Sequence, residues 1–257
     1  MKDFLTDTWH LYLRQIRLTQ RMPIFLVLSI MQPVLWMLLF GQLFRAIIKL
    51  PGFGTDSYIQ YIAPGVAIMT ALFSSSYSGI GMLRDIDSGI LDRLLSTPVS
   101  RNAVVASRVL QAATQVALQA AVLVVIALAM GARPQGGLPG LLLVFLGAAL
   151  LAASLASTSC GLAFATRRQE MLIATMNFII LPMTFLSSMI MAPDLMPEWI
   201  RAASRFNPVD WAVVTARLGF EGRFSVELAT HLAQLLGFTA LCALFVSVTF
   251  RRYQRSA

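Results

Sequence analysis

The sequence predicts an all-α polytopic membrane protein, with six transmembrane helices, an N-terminal amphipathic helix at the interface and two short outer helices between spans five and six. Two observations lead there. Of 257 residues, 57% are hydrophobic and 12% charged, where a soluble domain carries about 25% charged residues. With a mean hydropathy of +0.73, that composition excludes a soluble enzyme. Six apolar stretches, about 24–44, 58–82, 109–130, 138–166, 171–192 and 228–250, match the roughly 20 residues a helix needs to cross a bilayer. Residues 1–257 read as a single transmembrane domain.

Residues 3–20 come first. Leu5, Trp9, Tyr12, Leu13 and Ile16 recur at helical spacing, with Lys2, His10, Arg14 and Arg17 off that stripe. Such a helix is expected to lie flat in the inner interface.

The loop 83–107 between spans two and three carries a short helix, Gly89 to Thr97. Ser88 is placed to cap it and Pro98 to end it. Ile90, Leu91, Leu94 and Leu95 form its apolar face, Asp92 and Arg93 point elsewhere, and Ser100 caps the entry to span three. An amphipathic helix held below the membrane between two spans suits docking in a groove of another protein. A helix resting on lipid is the alternative.

The outer segment 193–227 holds two short helices. Pro193, Pro197 and Trp199 open the first. Asn207-Pro208 opens the second, with Asn207 as N-cap, Pro208 at the first position and Asp210 at the third. Each is about half the length of a span, so they are expected to dip into the outer leaflet or cap the exit of a path. An ordinary outer loop bearing Trp199 and Trp211 is the alternative.

Basic residues set the orientation. With the N-terminus cytoplasmic, the inner segments hold Lys2, Arg14, Arg17, Arg21, Arg84, Arg93, Arg101, Arg108, Arg167, Arg168, Arg251, Arg252 and Arg255. The outer segments hold Arg45, Lys49, Arg133, Arg201, Arg205, Arg217 and Arg223. Both termini are therefore expected inside.

The spans contain no Asp, Glu, Lys or Arg, which argues against a proton- or sodium-driven carrier. Ser159 in span four and His231 in span six sit at depths too different for a nucleophile and its base. The only lysines, Lys2 and Lys49, fit no P-loop, so ATP hydrolysis must fall to another chain. Uncharged polar residues cluster instead: Gln111, Thr114, Gln115 and Gln119 in span three, Ser74 to Ser78 in span two, and Asn177, Thr184, Ser187 and Ser188 in span five. Mixed with Phe178, Met183 and Phe185, they suit a path for amphipathic molecules or hydrogen bonds between helices. Ala149, Ala152, Ala153, Ala156 and Ser157 mark span four as a packing helix.

The run Gly89-Ile90-Leu91-Asp92-Arg93-Leu94-Leu95-Ser96-Thr97-Pro98-Val99-Ser100-Arg101 resembles the signature of type-2 ABC exporter permeases, Gly-Thr-Leu-Glu-x-Leu-Leu-x-x-Pro-Val-Ser-Arg. Tyr61-Ile62-Ala63-Pro64-Gly65 resembles that family's motif at the start of its second span, and Asn207-Pro208 followed by Arg217 its segment before the last. The nearest look is that of daunorubicin-resistance-type membrane subunits. The resemblance implies a multi-pass permease of the bacterial inner membrane, working as a homodimer or homologous heterodimer with two nucleotide-binding subunits. ATP and Mg would bind those subunits, and this chain would hold neither cofactor nor metal and bind no nucleic acid. It makes Gly89, Ile90, Leu91, Asp92, Leu94, Leu95, Pro98 and Arg101 the residues coupled to the ATPase. Gln32, Gln60, Asn177, Phe178 and Phe185 become path candidates, and Trp199, Asn207, Pro208 and Trp211 candidates for an outer gate. The function implied is outward movement of an amphipathic drug or lipid by alternating access. The alternative is an ATP-independent scramblase or membrane assembly factor.

Overall fold

A computed structural model describes residues 2–21, 23–43, 58–189 and 193–256. The end of span one with Arg45 and Lys49, and residues 190–192 of span five, lie outside them. All regular structure among the described residues is helical: α1 (Lys2–Gln20), α2 (Pro23–Leu43), α3 (Tyr58–Ser76), α4 (Ser78–Asp87), α5 (Ile90–Leu95), α6 (Arg101–Ala129), α7 (Gly137–Thr166), α8 (Gln169–Phe185), α9 (Glu198–Ser204), α10 (Pro208–Glu221) and α11 (Val226–Ser256).

Among the described residues, four helical stretches are long and apolar enough to cross a membrane: Tyr58–Asp87, which joins α3 and α4, then α6, α7 and Val226–Arg255 of α11. Val27–Leu43 of α2 and the whole of α8 are apolar but shorter. Several boundaries move relative to the sequence reading. The second span runs on to Asp87 and α6 begins at Arg101, so the loop between them shrinks to about a dozen residues. α10, at 14 residues, is longer than expected.

α7 is the centre of the bundle and packs against α3, α4, α6, α8, α10 and α11. Its buried surface is made of small residues, among them Gly140, Gly147, Ala148, Ala152, Ala156 and Ser159, which let backbones approach closely. The tightest crossing is with α10. A Cβ on Gly219 would meet the Gly140 carbonyl at 2.9 Å and the Leu143 side chain at 2.8 Å. Further along α7, Ser154 and Thr239 of α11 share a 2.8 Å hydroxyl contact.

The serine run of span two breaks the helix. Ser75 and Ser76 bond back to the carbonyls of Ala71 and Leu72, an arrangement that competes with the regular ladder, and Tyr77 interrupts α3 from α4. The Gly79 amide beyond the break donates to Ser159 Oγ at 3.0 Å. Ser159 is thus fully engaged in helix packing.

α1 departs from its expected flat pose. The Asp7 carboxylate accepts from the Ser100 amide at 2.7 Å, Gln15 donates to Ser107 at 3.2 Å and Gln111 donates to Thr19 at 3.3 Å. These pairs are 93, 92 and 92 residues apart, a constant offset that only two parallel helices produce. The physical reason is a polar stripe, Asp7, Gln15 and Thr19, that finds partners along α6 while Leu5 and Trp9 stay exposed. Gln119 extends the ladder to Ser29 of α2 at 2.9 Å, so the span-three glutamines Gln111 and Gln119 bond neighbouring helices.

The connections sort the bundle into two ends. Asp7, Ser100, Arg101 and Gln254 meet at one, where Arg101 donates to Gln254 at 3.3 Å and Arg167 lies over the Tyr253 ring at 4.7 Å. The start of α3, the start of α7 and all of α10 meet at the other. Both termini therefore share an end with the α5 loop.

Gly219→Val is expected to overfill the α7–α10 crossing and lower stability by about 1–3 kcal/mol, read as a lower melting temperature in detergent. Gly237→Ala, whose Cβ meets nothing within 4 Å, should be neutral or stabilise by up to about 1 kcal/mol.

Candidate functional site

The signature loop is a short helix held at both ends. Gly89 opens it in the left-handed region at φ 67°, a conformation that suits glycine. Ser88 does not cap α5, because its hydroxyl donates back to the Arg84 carbonyl at 2.6 Å and closes α4. The helix ends at Leu95 rather than Thr97, and the Ser96 and Thr97 hydroxyls donate to the carbonyls of Arg93 at 2.8 Å and Leu94 at 2.6 Å. Ser100 adopts the N-cap conformation of α6 without a side-chain cap bond; Asp7 holds its amide instead.

The apolar face of α5 is covered in part by the chain itself. Leu91 is fully buried in the core and Leu95 packs against it, with Ile90 and Leu94 half-buried. Leucine burial against α4 removes apolar surface from water within the chain itself. What α5 and its exit present outward is polar: Asp92, Arg93, Ser96, Thr97 and Pro98 are exposed, as is Arg101.

Above the loop, α4 and α6 are bolted together. Arg108 forms an ion pair with Asp85, with side chains 15% and 16% exposed, and also donates to the Gly81 carbonyl at 3.0 Å. The sequence expectation places Arg108 only among the basic residues of the inner segments. Its signal was there, since Asp85 and Arg108 are opposite charges flanking one hairpin.

A second constellation sits at the far end. Asn207 does cap α10, its Oδ1 accepting from the Val209 amide at 3.0 Å, while its Nδ2 donates to the carbonyls of Met183 and Leu186, each at 2.8 Å. That capture explains why α8 stops at Phe185. One turn on, the Asp210 carboxylate accepts from the Ser188 amide at 2.7 Å. Arg217 donates to the Ser188 carbonyl at 2.9 Å and lies 3.9 Å above the Tyr61 ring, a cation–π contact. At 8% exposure Arg217 is an internal cation, not the outer solvent charge expected of it. Gly65, one turn beyond Tyr61, faces the Met189 carbonyl where a Cβ would collide. The motifs in α3 and α10 thus close on one segment, 183–189.

Residues 6–220 match the family described as ABC-2 type transporter. The chain belongs to that family. It is 25% identical over 253 residues to the daunorubicin resistance ABC transporter permease protein DrrB1 of Streptomyces coeruleorubidus, covering 97% of this chain and 85% of that one. It is 25% identical over 200 residues to a Mycobacterium tuberculosis chain named as a probable doxorubicin resistance ABC transporter permease protein, DrrC, covering 77% and 71%. ABC-2 permeases work with ATP-binding subunits in ABC transporters.

The path and gate candidates are spread over α2, α3, α8, α9 and α10, some exposed and some buried. Gln32 is exposed and Gln60 half-buried. Phe178 and Phe185 are 81% and 70% exposed on one face of α8. Asn177 accepts from the Tyr77 hydroxyl at 2.6 Å, tying α8 to the break in span two. α3 touches both α2 and α8 but is itself buried from Tyr61 to Leu72 and again at Ser75 and Ser76, which leaves Ile59, Gln60, Phe73 and Ser74 as its part-exposed residues. Trp199 is exposed, whereas Trp211 is half-buried and donates to the Arg205 carbonyl at 2.8 Å. Pro208 is buried.

Arg108→Gln and Asp85→Asn are each expected to lower the unfolding midpoint. The double variant should lose less than the two together, with a coupling of about 0.5–3 kcal/mol in a double-mutant cycle.

Proposed function

We propose that the chain is the membrane subunit of an ATP-driven exporter, paired with a second membrane subunit and two nucleotide-binding subunits that carry ATP and Mg. The observation that supports it most is the α5 loop, anchored inward by Leu91 and Leu95 and presenting Asp92, Arg93, Thr97 and Pro98 outward. A push on that surface reaches α4 and α6 through the Asp85–Arg108 pair, then α1 and α2 through the polar ladder. Closing of the ATPase subunits would drive this lever and rearrange α2, α3 and α8 in alternating access.

In this reading α2 and α8 complete six spans. At a rise of 1.5 Å per residue their 21 and 17 residues reach roughly 31 and 26 Å, close to the hydrocarbon thickness of about 30 Å. The end that holds both termini and α5 faces the cytoplasm of a bacterial inner membrane, in line with its excess of arginine. α9 and α10 lie on the outer side, where Asn207, Asp210 and Arg217 fix the exit of α8. The cargo proposed is an amphipathic drug or lipid-like molecule, on the names of the relatives and the exposed Phe178 and Phe185 of α8.

The test is ATPase activity in lipid of a P-loop ATPase encoded beside this chain, measured with and without it. The chain should change the rate. Exchanging the exposed charges, Asp92→Lys with Arg93→Glu, should weaken that effect about tenfold or more, since like charges juxtaposed at an interface cost several kcal/mol. An unaltered response in this variant would overturn the docking surface.

A further inference from the structure

A groove of about 500 Å³ runs along the bundle on the side formed by α6, α7 and α11, closed at one end by α1. Val105, Val109 and Ala113 line it from α6, Val246 and Phe250 from α11, and Ala153 forms its floor. From Asn102 to Ala113 it extends roughly 16 Å along α6, the scale of an acyl chain. Its volume lies within the range of roughly 300–1,000 Å³ typical of ligand pockets.

The mouth of this groove differs from its wall. Phe4, Thr8 and Asn102 close it at the end where both termini and α5 meet. Arg101 adjoins Asn102, is exposed, and reaches across to Gln254 of α11. Arg251 follows Ser247, a lining residue, by one helical turn and so lies on the same face. Arg101, Arg251, Arg252 and Arg255 are all exposed, and none forms an ion pair among the described residues. Of the carboxylates at this end, Asp7 is occupied by the Ser100 amide and Asp92, near Tyr253 of α11, pairs with none of these arginines. An apolar slot ending in unpaired guanidinium groups complements a molecule with a long hydrocarbon tail and a phosphate at its head.

We infer that this groove seats one acyl chain of an anionic glycerophospholipid from the cytoplasmic leaflet, with its phosphate held at the mouth by Arg101 and Arg251. The site is separate from the exposed faces of α2 and α8 assigned to cargo. It rests on the membrane orientation proposed above and not on coupling to ATP.

Native mass spectrometry of the full-length chain in detergent, titrated with equimolar phosphatidylglycerol and phosphatidylcholine of matched chains, tests it without nucleotide. Its failure is therefore distinct from a failure of ATPase coupling. Phosphatidylglycerol should be retained in preference, and Arg101→Gln with Arg251→Gln should cut that preference by roughly fivefold per arginine. Ala113→Phe, which fills the groove without changing charge, should reduce retention of both lipids. Equal retention of the two lipids by the native chain, an unchanged preference in the arginine variant, or unchanged retention in Ala113→Phe would each overturn the inference. So would a high-yield intermolecular disulfide in Ala113→Cys, which would place a second copy of the chain in the groove.

Discussion

A helix broken inside a bilayer releases amides and carbonyls that have no water to turn to, and each must be met by another part of the protein. This chain breaks or ends its helices in three telling places, two along its spans and one at the entry to α6, and each has a dedicated partner. Past Tyr77, the Gly79 amide is met by Ser159. At the end of α8, the carbonyls of Met183 and Leu186 are met by Asn207, and Ser188 is gripped through its amide by Asp210 and through its carbonyl by Arg217. At the start of α6, the Ser100 amide is met by Asp7. Asn207, a gate candidate by resemblance, is spent on this obligation.

The same obligation makes the loop between spans two and three a lever. Because α5 buries Leu91 in the core, and α4 and α6 are joined by Asp85 and Arg108, the segment has few ways to move except as one piece with the helices it joins. α6 in turn carries α1 alongside it and bonds α2 through Gln119. In the proposed reading, a push at Asp92 and Arg93 would pass to α6 and α2, both of which touch α3.

The apolar runs made the bundle legible in the sequence, because period and length alone determine which segments shun water. Asn207-Pro208 was legible too, since a capping side chain followed by proline has few other meanings. The direction of α5 was not. Ile90, Leu91, Leu94 and Leu95 mark an apolar face equally whether a partner or the chain's own core covers it, and only the position of α4 decides. The parallel course of α1 escaped for a related reason: Leu5 and Trp9 stand out in a hydropathy pattern, whereas Asp7, Gln15 and Thr19 look like an ordinary solvated face. Arg217 was legible as an outer charge and as part of the resemblance, but its burial was not, because that depends on Tyr61, more than 150 residues away in the chain.

The central claim is that the polar face of α5 touches an ATPase. Both native cysteines, Cys160 and Cys242, are buried, so a cysteine placed at the exposed position of Arg93 offers a clean handle. Thiol cross-linking of Arg93→Cys in native membranes, with the P-loop ATPase encoded beside this chain co-expressed, measures the contact directly. A prominent adduct with that ATPase, altered in yield when ATP is added, is the result the account predicts. A cysteine at that position that reacts readily with a soluble maleimide yet forms no adduct with the ATPase would contradict it.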